Sequence, residues 1–212
     1  MTTVIVDYES GNLHSAQKAF QRMSTELGLG DVIVTSDPDQ VRRADRIVLP
    51  GDGAFPACRA QLFDHRGLFE AMDEAVRLNA RPFLGICIGM QMLASKGLEY
   101  TPTDGFDWIS GTVTRITPSH DGLKVPHMGW NDLIIDHPHP VFEGIHSGQH
   151  TYFVHSYHML VDNPAHRLAH VDYGGPVTAM VGRDTIVGMQ FHPEKSQTVG
   201  LQMIGNFLRW RP

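Results

Sequence analysis

The sequence contains only two cysteines, Cys58 and Cys87, in 212 residues. Two thiols do not make a disulfide framework, so we expect a reducing cytosol rather than an oxidising compartment. Long hydrophobic runs are also missing, because no stretch reaches the roughly 20 apolar residues that a membrane-spanning helix needs. The first residues lack the cationic and apolar regions of a secretory signal. We therefore expect a soluble, cytoplasmic protein.

Positive charge is scarce as well, with 17 Lys and Arg against 23 Asp and Glu and a formal net charge of −6. Nucleic-acid binders usually carry a basic stripe, so nucleic acid and anionic membrane are not expected partners. The hydrophobic content of 42% and the charged content of 19% are typical of a globular chain that can bury a core. Repeats, linkers and low-complexity tracts are not evident. We predict a single domain over residues 1–212.

Short β-branched runs alternate with helical stretches in the first half of the chain. This alternation predicts an α/β fold with a mostly parallel sheet flanked by helices. Residues 108–190 instead form short runs rich in Val, Ile, Thr, Tyr and Phe between turn signals, which predicts an added antiparallel β part in the second half. The individual predictions are strands at 3–7, 32–35, 46–49 and 82–86, and helices at 13–23, 67–79, 89–96 and 198–210.

Cys87 lies between a predicted strand and a predicted helix, in the frame Gly85-x-Cys87-x-Gly89. This frame is that of a nucleophile elbow, in which a sharp turn presents the nucleophile and the glycines let neighbouring segments approach closely. A helix N-terminus and a nearby imidazolium favour the reactive thiolate. Most free cysteines are instead small buried hydrophobes. The flanking glycines at the end of a strand favour the nucleophile.

His192 and Glu194 are two residues apart in the segment GMQFHPEKS, a spacing that places both side chains on one face of an extended chain. Pro193 between them stiffens the pair. We expect His192 to act as general base toward Cys87 and then as acid toward the leaving nitrogen, with Glu194 orienting the ring. A lone His-Pro is more often a turn, so the prediction depends on the cysteine elbow.

Attack on an amide places negative charge on its oxygen, so backbone N–H groups should face that oxygen. One donor would be Ile88, the residue after the nucleophile. The other would come from the segment LPGDGAF, in which Gly51 and Gly53 let backbone amides face a ligand. Taken alone, this segment is more often an ordinary turn.

With these segments in hand, the sequence resembles the class I (triad) glutamine amidotransferases, which have a flavodoxin-like fold. Six segments look like the family in order and across essentially the whole chain: DYESGNLHS, LPGDGAF, GICIGMQ, KVPHMGWN, YFVHSY and GMQFHPEKS. The resemblance implies hydrolysis of L-glutamine to glutamate and ammonia, without a cofactor. It implies a triad of Cys87, His192 and Glu194, an oxyanion region of Gly51, Gly53 and Ile88, and glutamine contacts from Gln91, Ser156 and Tyr157.

The glutaminase motifs span about residues 51–194, which leaves no room for a domain that binds a second substrate. Ammonia is mostly protonated in neutral water, so we expect a separate synthase to dock over the site. The resemblance implies a heterodimer with a (β/α)8-barrel cyclase subunit, which uses ammonia to convert PRFAR to imidazole glycerol phosphate and AICAR in histidine biosynthesis. The residues that it implies on the partner face are Asn12, Trp130, Tyr152 and Lys195.

Other functions remain open from the sequence. The chain could be the glutaminase subunit of another ammonia-using synthase, a catalytically silent binding module of the same fold, or a cysteine peptidase. The segments DYESGNLHS and KVPHMGWN weigh against the first, and the intact triad weighs against the second. Glutamine turnover without peptide cleavage would exclude the third.

Two residues depart from the family pattern. Glu9 stands where a small glycine is usual, and Asp52 replaces an aliphatic residue between Gly51 and Gly53. A carboxylate aimed at a developing oxyanion would oppose catalysis. We therefore expect the side chain of Asp52 to face away, so that only backbone groups of this loop serve the site.

Four histidines lie close together in the second half of the chain. A metal site is one interpretation of such a cluster, but the spacing is irregular and interrupted by prolines, so we predict solvated surface and no metal. The histidines are His137, His139, His146 and His150.

Overall fold

The computed structural model describes residues 1–120 and 122–212, and it alternates strands and helices through the first half of the chain. The strands are β1 Thr2–Val6, β2 Asp31–Thr35, β3 Arg46–Leu49, β4 Phe83–Ile86, β5 Lys96–Gly97, β6 Thr103–Asp104, β7 Gly111–Arg115, β8 His127–Asp132, β9 Ile134–Ile135, β10 His150–His155, β11 Tyr157–Val161, β12 Arg167–Asp172, β13 Pro176–Arg183 and β14 Ile186–Met189. The α-helices are α1 Leu13–Leu27, α2 Pro38–Arg42, α3 Phe55–Asp64, α4 Leu68–Asp73, α5 Ile88–Gln91 and α6 Gln197–Arg209.

The largest sheet has the strand order β2-β1-β3-β4-β14-β13-β12-β9. Its first five strands are parallel and its last three are antiparallel. The predicted α/β fold with a mostly parallel sheet and an antiparallel part in the second half is therefore confirmed. The first five strands follow the flavodoxin order, in which ligands bind beyond the carboxyl ends of the strands.

Two smaller sheets complete the second half. The strands β8 and β10 form an antiparallel ribbon, and β11, β7, β5 and β6 form a separate sheet. The ribbon places Tyr152 directly opposite Trp130. A backbone bond from His192 N–H to the Tyr152 carbonyl, 3.0 Å long, ties the ribbon to the end of β14.

Helix α1 forms because its ends and its apolar face are both specified by the sequence. The side chain of Asn12 caps its first turn by accepting from Ser15 N–H at 3.2 Å, and Gly28 ends it in the left-handed conformation. Phe20 on its buried face meets Phe207 of α6 edge to face, with ring centroids 6.5 Å apart. The two helices therefore pack against each other.

Two helix predictions were inaccurate. The helix predicted at 67–79 is α-helical only over Leu68–Asp73 and continues as a π-helical turn over Glu74–Leu78. The helix predicted at 89–96 was wrong beyond Gln91, because the following carbonyls pair with a distant loop instead of the next helical turn: Met92 and Ser95 accept from Phe106 and Gly105.

None of the helices in the described part of the chain is both long and apolar enough to cross a membrane.

Candidate active site

Cys87 occupies a sharp turn between β4 and α5. Its backbone is in an uncommon conformation, with φ 56° and ψ −112°, and its N–H donates to the Met189 carbonyl of β14 at 2.8 Å. A Cβ at Gly85 would lie 2.4 Å from the Gly89 carbonyl oxygen, and a Cβ at Gly89 would lie 1.9 Å from the Leu49 carbonyl oxygen. The two glycines therefore let the turn pack against itself and against β3, as the elbow prediction requires.

His192 and Glu194 are directly bonded, because His192 Nδ1 lies 2.8 Å from Glu194 Oε1 and both side chains are buried. With Nδ1 on the carboxylate, Nε2 is the ring nitrogen left for Cys87, which lines the same cavity as His192. Burial disfavours the charged ring, but the hydrogen bonds and charges of Cys87 and Glu194 outweigh it and raise the pKa of His192 to about 10. The structure thus places the three predicted triad residues together, with His192 hydrogen-bonded to Glu194 and the pKa of its ring raised.

The side chain of Ser196 ties the backbone of His192 to that of Tyr152 through two hydrogen bonds. Ser196 Oγ donates to the His192 carbonyl at 2.7 Å and accepts from Tyr152 N–H at 3.0 Å. A short 3-10 turn at Pro193–Lys195 then brings Glu194 back under the ring. The sequence motif produces the His–carboxylate pair through this turn rather than through a continuing strand.

The predicted oxyanion region is assembled, but its donors are occupied. Ile88 N–H donates to the Gly51 carbonyl at 3.4 Å, and Asp52 N–H donates to Ser10 Oγ at 3.3 Å. The carbonyl of Gly51 therefore lies where an oxyanion would bind Ile88 N–H. Gly53 has a φ of 112°, which a glycine adopts without strain.

The carboxylate of Asp52 accepts a hydrogen bond from Gly11 N–H, with 3.3 Å between N and Oδ1. Its backbone carbonyl accepts from Ser10 Oγ at 2.8 Å and from Cys58 Sγ at 3.1 Å. The side chain of Asp52 is thus tied to the segment that precedes α1. Cys58 is a buried thiol that donates a hydrogen bond to this loop.

A cavity of about 320 Å³ opens beside the cysteine. Gln91 Nε2 donates to the Tyr157 carbonyl at 3.0 Å and to Gln190 Oε1 at 2.9 Å, which leaves Gln91 Oε1 buried without a partner. Such an orphaned acceptor at a cavity wall is available to a ligand donor. The residues that line the cavity are Asp52, Gly53, Cys87, Ile88, Gln91, Glu99, Pro126, Val154, His155, Ser156, Tyr157 and His192.

Sequence reasoning missed two polar residues at this site. Glu99 lines the cavity, and its Oε2 accepts from Phe55 N–H at the start of α3 at 2.8 Å. Gln190 Nε2 lies 3.8 Å from Cys87 Sγ. Gln190 precedes His192 by two residues, so the same spacing that paired His192 with Glu194 could have found it. Nothing in the local sequence of Glu99 indicates that it reaches the cavity.

A third missed residue, His155, belongs to a hydrogen-bonded chain of neutral side chains. Its Nδ1 lies 2.8 Å from the Tyr157 carbonyl, so Nδ1 carries the proton and Nε2 accepts from His127 Nδ1 at 2.9 Å. His127 Nε2 then accepts from Asn131 Nδ2 at 3.2 Å. Burial lowers the pKa of His155 to about 3 and that of His127 to about 4, so both rings stay neutral.

The four residues expected on a partner face are all partly or fully exposed. Trp130 is 47% exposed and contacts Tyr152 edge to face, with ring centroids 5.7 Å apart. Lys195 is exposed on the turn that carries Glu194. Asn12 is exposed and caps α1, one residue beyond Gly11.

The four clustered histidines do not share one environment. His139, expected at a solvated surface, is instead partly buried against Trp210, with ring centroids 4.8 Å apart, and burial lowers its pKa to about 4. His150 pairs with Asp132 at 2.7 Å. Among the described residues, no group of three or more His, Cys, Asp or Glu side chains is arranged to hold a metal ion.

The model of the glutamine amidotransferase class-I family matches residues 4–210 of the chain. A solved structure described as a glutamine amidotransferase aligns with 97% of this chain and 96% of its own, at 19% identity and a TM-score of 0.70. That likeness shows the same fold. The chain belongs to the glutamine amidotransferase class-I family, a family of glutamine-hydrolysing enzymes.

Within this family, the chain is similar over its full length to two curated relatives. The protein of Ruegeria pomeroyi is 68% identical over 212 residues, and that of Cereibacter sphaeroides is 67% identical over 212 residues. Both alignments cover 100% of each chain, and both relatives are named imidazole glycerol phosphate synthase subunit HisH. The chain therefore belongs to the HisH branch of the family.

Proposed function

We propose that the chain is the glutaminase subunit of imidazole glycerol phosphate synthase and hydrolyses L-glutamine to supply ammonia for histidine biosynthesis. The observation that carries this proposal is that Cys87 and the hydrogen-bonded pair of His192 and Glu194 meet beside one cavity with polar walls. The names of the HisH relatives support the particular synthase.

Chemistry begins with attack of the Cys87 thiolate on the side-chain amide carbon of glutamine. The protonated His192 gives its proton to the leaving nitrogen, and ammonia departs. Water then attacks the glutamyl thioester with His192 as general base, which releases glutamate and restores the thiolate and the protonated ring. Glu194 holds Nδ1 throughout and stabilises the charged ring. Each step uses only side chains that the site already positions.

The cavity would receive the α-amino and carboxylate ends of glutamine. Gln91 Oε1 and the second oxygen of Glu99 are acceptors for the ammonium group, since each side chain is fixed by its other contacts. Ser156 lies between β10 and β11, Tyr157 begins β11, and both residues line the cavity. A ligand held by these groups would present its amide to Cys87.

The oxyanion region is proposed to be completed by a change in the loop of Gly51 to Gly53. While Ile88 N–H donates to the Gly51 carbonyl, it is not free to stabilise an oxyanion. Hydrolysis should therefore be slow in the free subunit and faster when a loaded partner shifts the loop.

The partner is proposed to be the (β/α)8-barrel cyclase subunit, in a heterodimer that converts PRFAR to imidazole glycerol phosphate and AICAR. Trp130 and Tyr152 contact each other on the β8–β10 ribbon, and Lys195 is the residue after Glu194. A partner that contacts these residues and Asn12 would lie close to the triad and would collect ammonia before water protonates it. We also infer a single domain, because one cluster of buried residues includes both halves of the chain. The buried free thiols favour a cytoplasmic location.

The proposal is tested by product formation from PRFAR at neutral pH. The cyclase subunit alone should form imidazole glycerol phosphate with ammonium salts but not with glutamine. Addition of this chain should make glutamine an effective nitrogen source, and the Cys87→Ala variant should not. A cyclase complex that forms but never uses glutamine would contradict the proposed function.

A further inference from the structure

The hydroxyl group of Tyr8 is buried beneath the loop of Gly51 to Gly53, here called the oxyanion loop, and it has no hydrogen-bond partner. The side chain is fully buried, and this burial raises the pKa of its hydroxyl, so the group is a neutral donor at any working pH. It lies against Gly51, because a Cβ built there would be only 2.3 Å from the Tyr8 oxygen. Buried hydroxyls without partners are uncommon and call for a physical explanation.

The neighbouring hydroxyl of Ser10 shows which part of the loop can move. Ser10 Oγ accepts from Asp52 N–H at 3.3 Å, and its own proton is directed to the Asp52 carbonyl at 2.8 Å. Cys58 Sγ reaches the same carbonyl at 3.1 Å. Two donors thus hold the peptide that follows Asp52, whereas the peptide between Gly51 and Asp52 is held only by two longer bonds of 3.4 and 3.3 Å.

Reversal of the Gly51–Asp52 peptide would exchange the directions of its two polar groups. Asp52 N–H would turn toward the cysteine, and Ile88 N–H would lose the carbonyl that now occupies it. The Gly51 carbonyl would turn toward the side on which Ser10 Oγ and the Tyr8 hydroxyl lie. Gly51 has no Cβ to resist such a rotation, and a side chain there would collide with Tyr8.

We propose that Tyr8 is a positioning residue whose hydroxyl donates to the Gly51 carbonyl when the Gly51–Asp52 peptide reverses, and thereby stabilises the loop conformation that completes the oxyanion site. This inference rests on the proposed glutaminase function. The Tyr8 hydroxyl has no partner in the resting loop, and after the reversal it would donate to the Gly51 carbonyl.

The test is the Tyr8→Phe variant, which removes one oxygen and keeps the ring. In the complex with the cyclase subunit and PRFAR, kcat for glutamine hydrolysis should fall about five- to tenfold. A loss of this size is expected when one hydrogen bond is removed from the reactive state. KM for glutamine should change less than about twofold, since the cavity contacts are untouched. The melting temperature should not fall, because the lost hydroxyl has no partner in the resting loop.

The rate at which Cys87 is alkylated distinguishes an effect on the loop from an effect on the reactivity of the cysteine. Alkylation of Cys87 by iodoacetamide requires the thiolate but builds no oxyanion, so its rate should be the same in Tyr8→Phe and in the wild type. The matched control is Tyr173→Phe, whose hydroxyl donates to the Lys124 carbonyl away from the loop, and it should keep wild-type kcat.

The outcomes are distinguishable. Stimulated hydrolysis by the wild type together with an unchanged kcat in Tyr8→Phe would overturn the inference and leave the glutaminase function standing. An equal loss of kcat and alkylation rate would overturn it too, because the effect would then act on Cys87. A wild-type complex without any hydrolysis would instead overturn the proposed function.

Discussion

The carbonyl oxygen of Gly51 accepts a hydrogen bond from the N–H of Ile88 at 3.4 Å, and Ile88 is the residue after Cys87, the proposed nucleophile. The bond is long, so its loss opposes a rearrangement only weakly. It nevertheless removes the donor on which the stabilisation of an oxyanion depends. The triad is therefore assembled while the oxyanion site is not, and a partner could control turnover without moving the triad.

Removal of the charge on Glu194 should shift the pH dependence of hydrolysis. Glu194→Gln weakens the stabilisation of the imidazolium, which lowers the pKa of His192 from its raised value of about 10. The ring must be protonated to release ammonia, so the alkaline fall in kcat should move down by about one pH unit or more. Profiles of kcat between pH 7 and pH 10.5 in the activated complex would measure this.

The control for Glu194→Gln is Glu143→Gln, because the Glu143 side chain is 76% exposed and lies away from the triad. It should reproduce the wild-type profile. An alkaline limb that does not move in Glu194→Gln would contradict the assigned role of this carboxylate.

Glu9 is a residue whose replacement should stabilise the protein. Its φ of 66° lies in the left-handed region, where a Cβ is unfavourable and glycine is not. Glu9→Gly should therefore raise the free energy of unfolding by about 1 kcal/mol in urea titrations. Glu9→Ala removes the charge but keeps the Cβ, so it should give little of this gain. Equal gains in both variants would assign the effect to charge rather than to backbone strain.

Gly89 should not tolerate even a methyl group. A Cβ there would lie 1.9 Å from the Leu49 carbonyl oxygen, which is backbone and cannot yield without moving β3. Gly89→Ala should lower the free energy of unfolding by about 3 kcal/mol. In Gly205→Ala the nearest atoms are the flexible side-chain ends of Met23 and Leu27, at 3.1 and 3.3 Å, so the change should stay within about 1 kcal/mol. Similar losses in both would contradict the close approach.

The stability of the fold should fall in mild acid. Burial lowers the pKa of His158 to about 4, and its Nδ1 accepts from Thr178 N–H at 3.3 Å. The unfolded chain binds this proton near pH 6.5, so the stabilisation is complete above pH 6.5 and is lost as the pH falls toward 4.

His158→Gln should make this decline shallower by about 1.4 kcal/mol per pH unit in urea titrations between pH 6.5 and pH 5. The pKa values of three other histidines are also lowered, so the free energy of unfolding of the variant should still fall with pH. These histidines are His127, His139 and His155. A slope that does not change in His158→Gln would show that this ring is protonated in the folded state.

Local patterns in the sequence predicted the parts of the site that are made by short segments. Glycine spacing located the elbow at Cys87, and the two-residue spacing predicted the pair of His192 and Glu194, although a 3-10 turn rather than an extended chain forms it. The sheet class followed from the alternation of β-branched and helical runs. These features depend on neighbours within a few residues, so the sequence alone contains them.

Features that depend on distant segments were not predictable in the same way. The helix expected at 89–96 ends early because Met92 pairs with Phe106 across a loop. Glu99 reaches the cavity through a turn whose direction is set by tertiary packing. The occupied Ile88 N–H depends on the rotation of a single peptide, which no residue pattern specifies.

The rate of glutamate release from glutamine shows whether Cys87 is the nucleophile and whether the occupied oxyanion site slows the free chain. It would be followed for the purified chain alone and for the chain with the cyclase subunit and PRFAR, in the wild type and in Cys87→Ala. We expect slow release by the free chain, strong stimulation in the loaded complex and no release by the variant. Full turnover by the free chain would contradict the occupied oxyanion site, and release by Cys87→Ala would contradict the nucleophile.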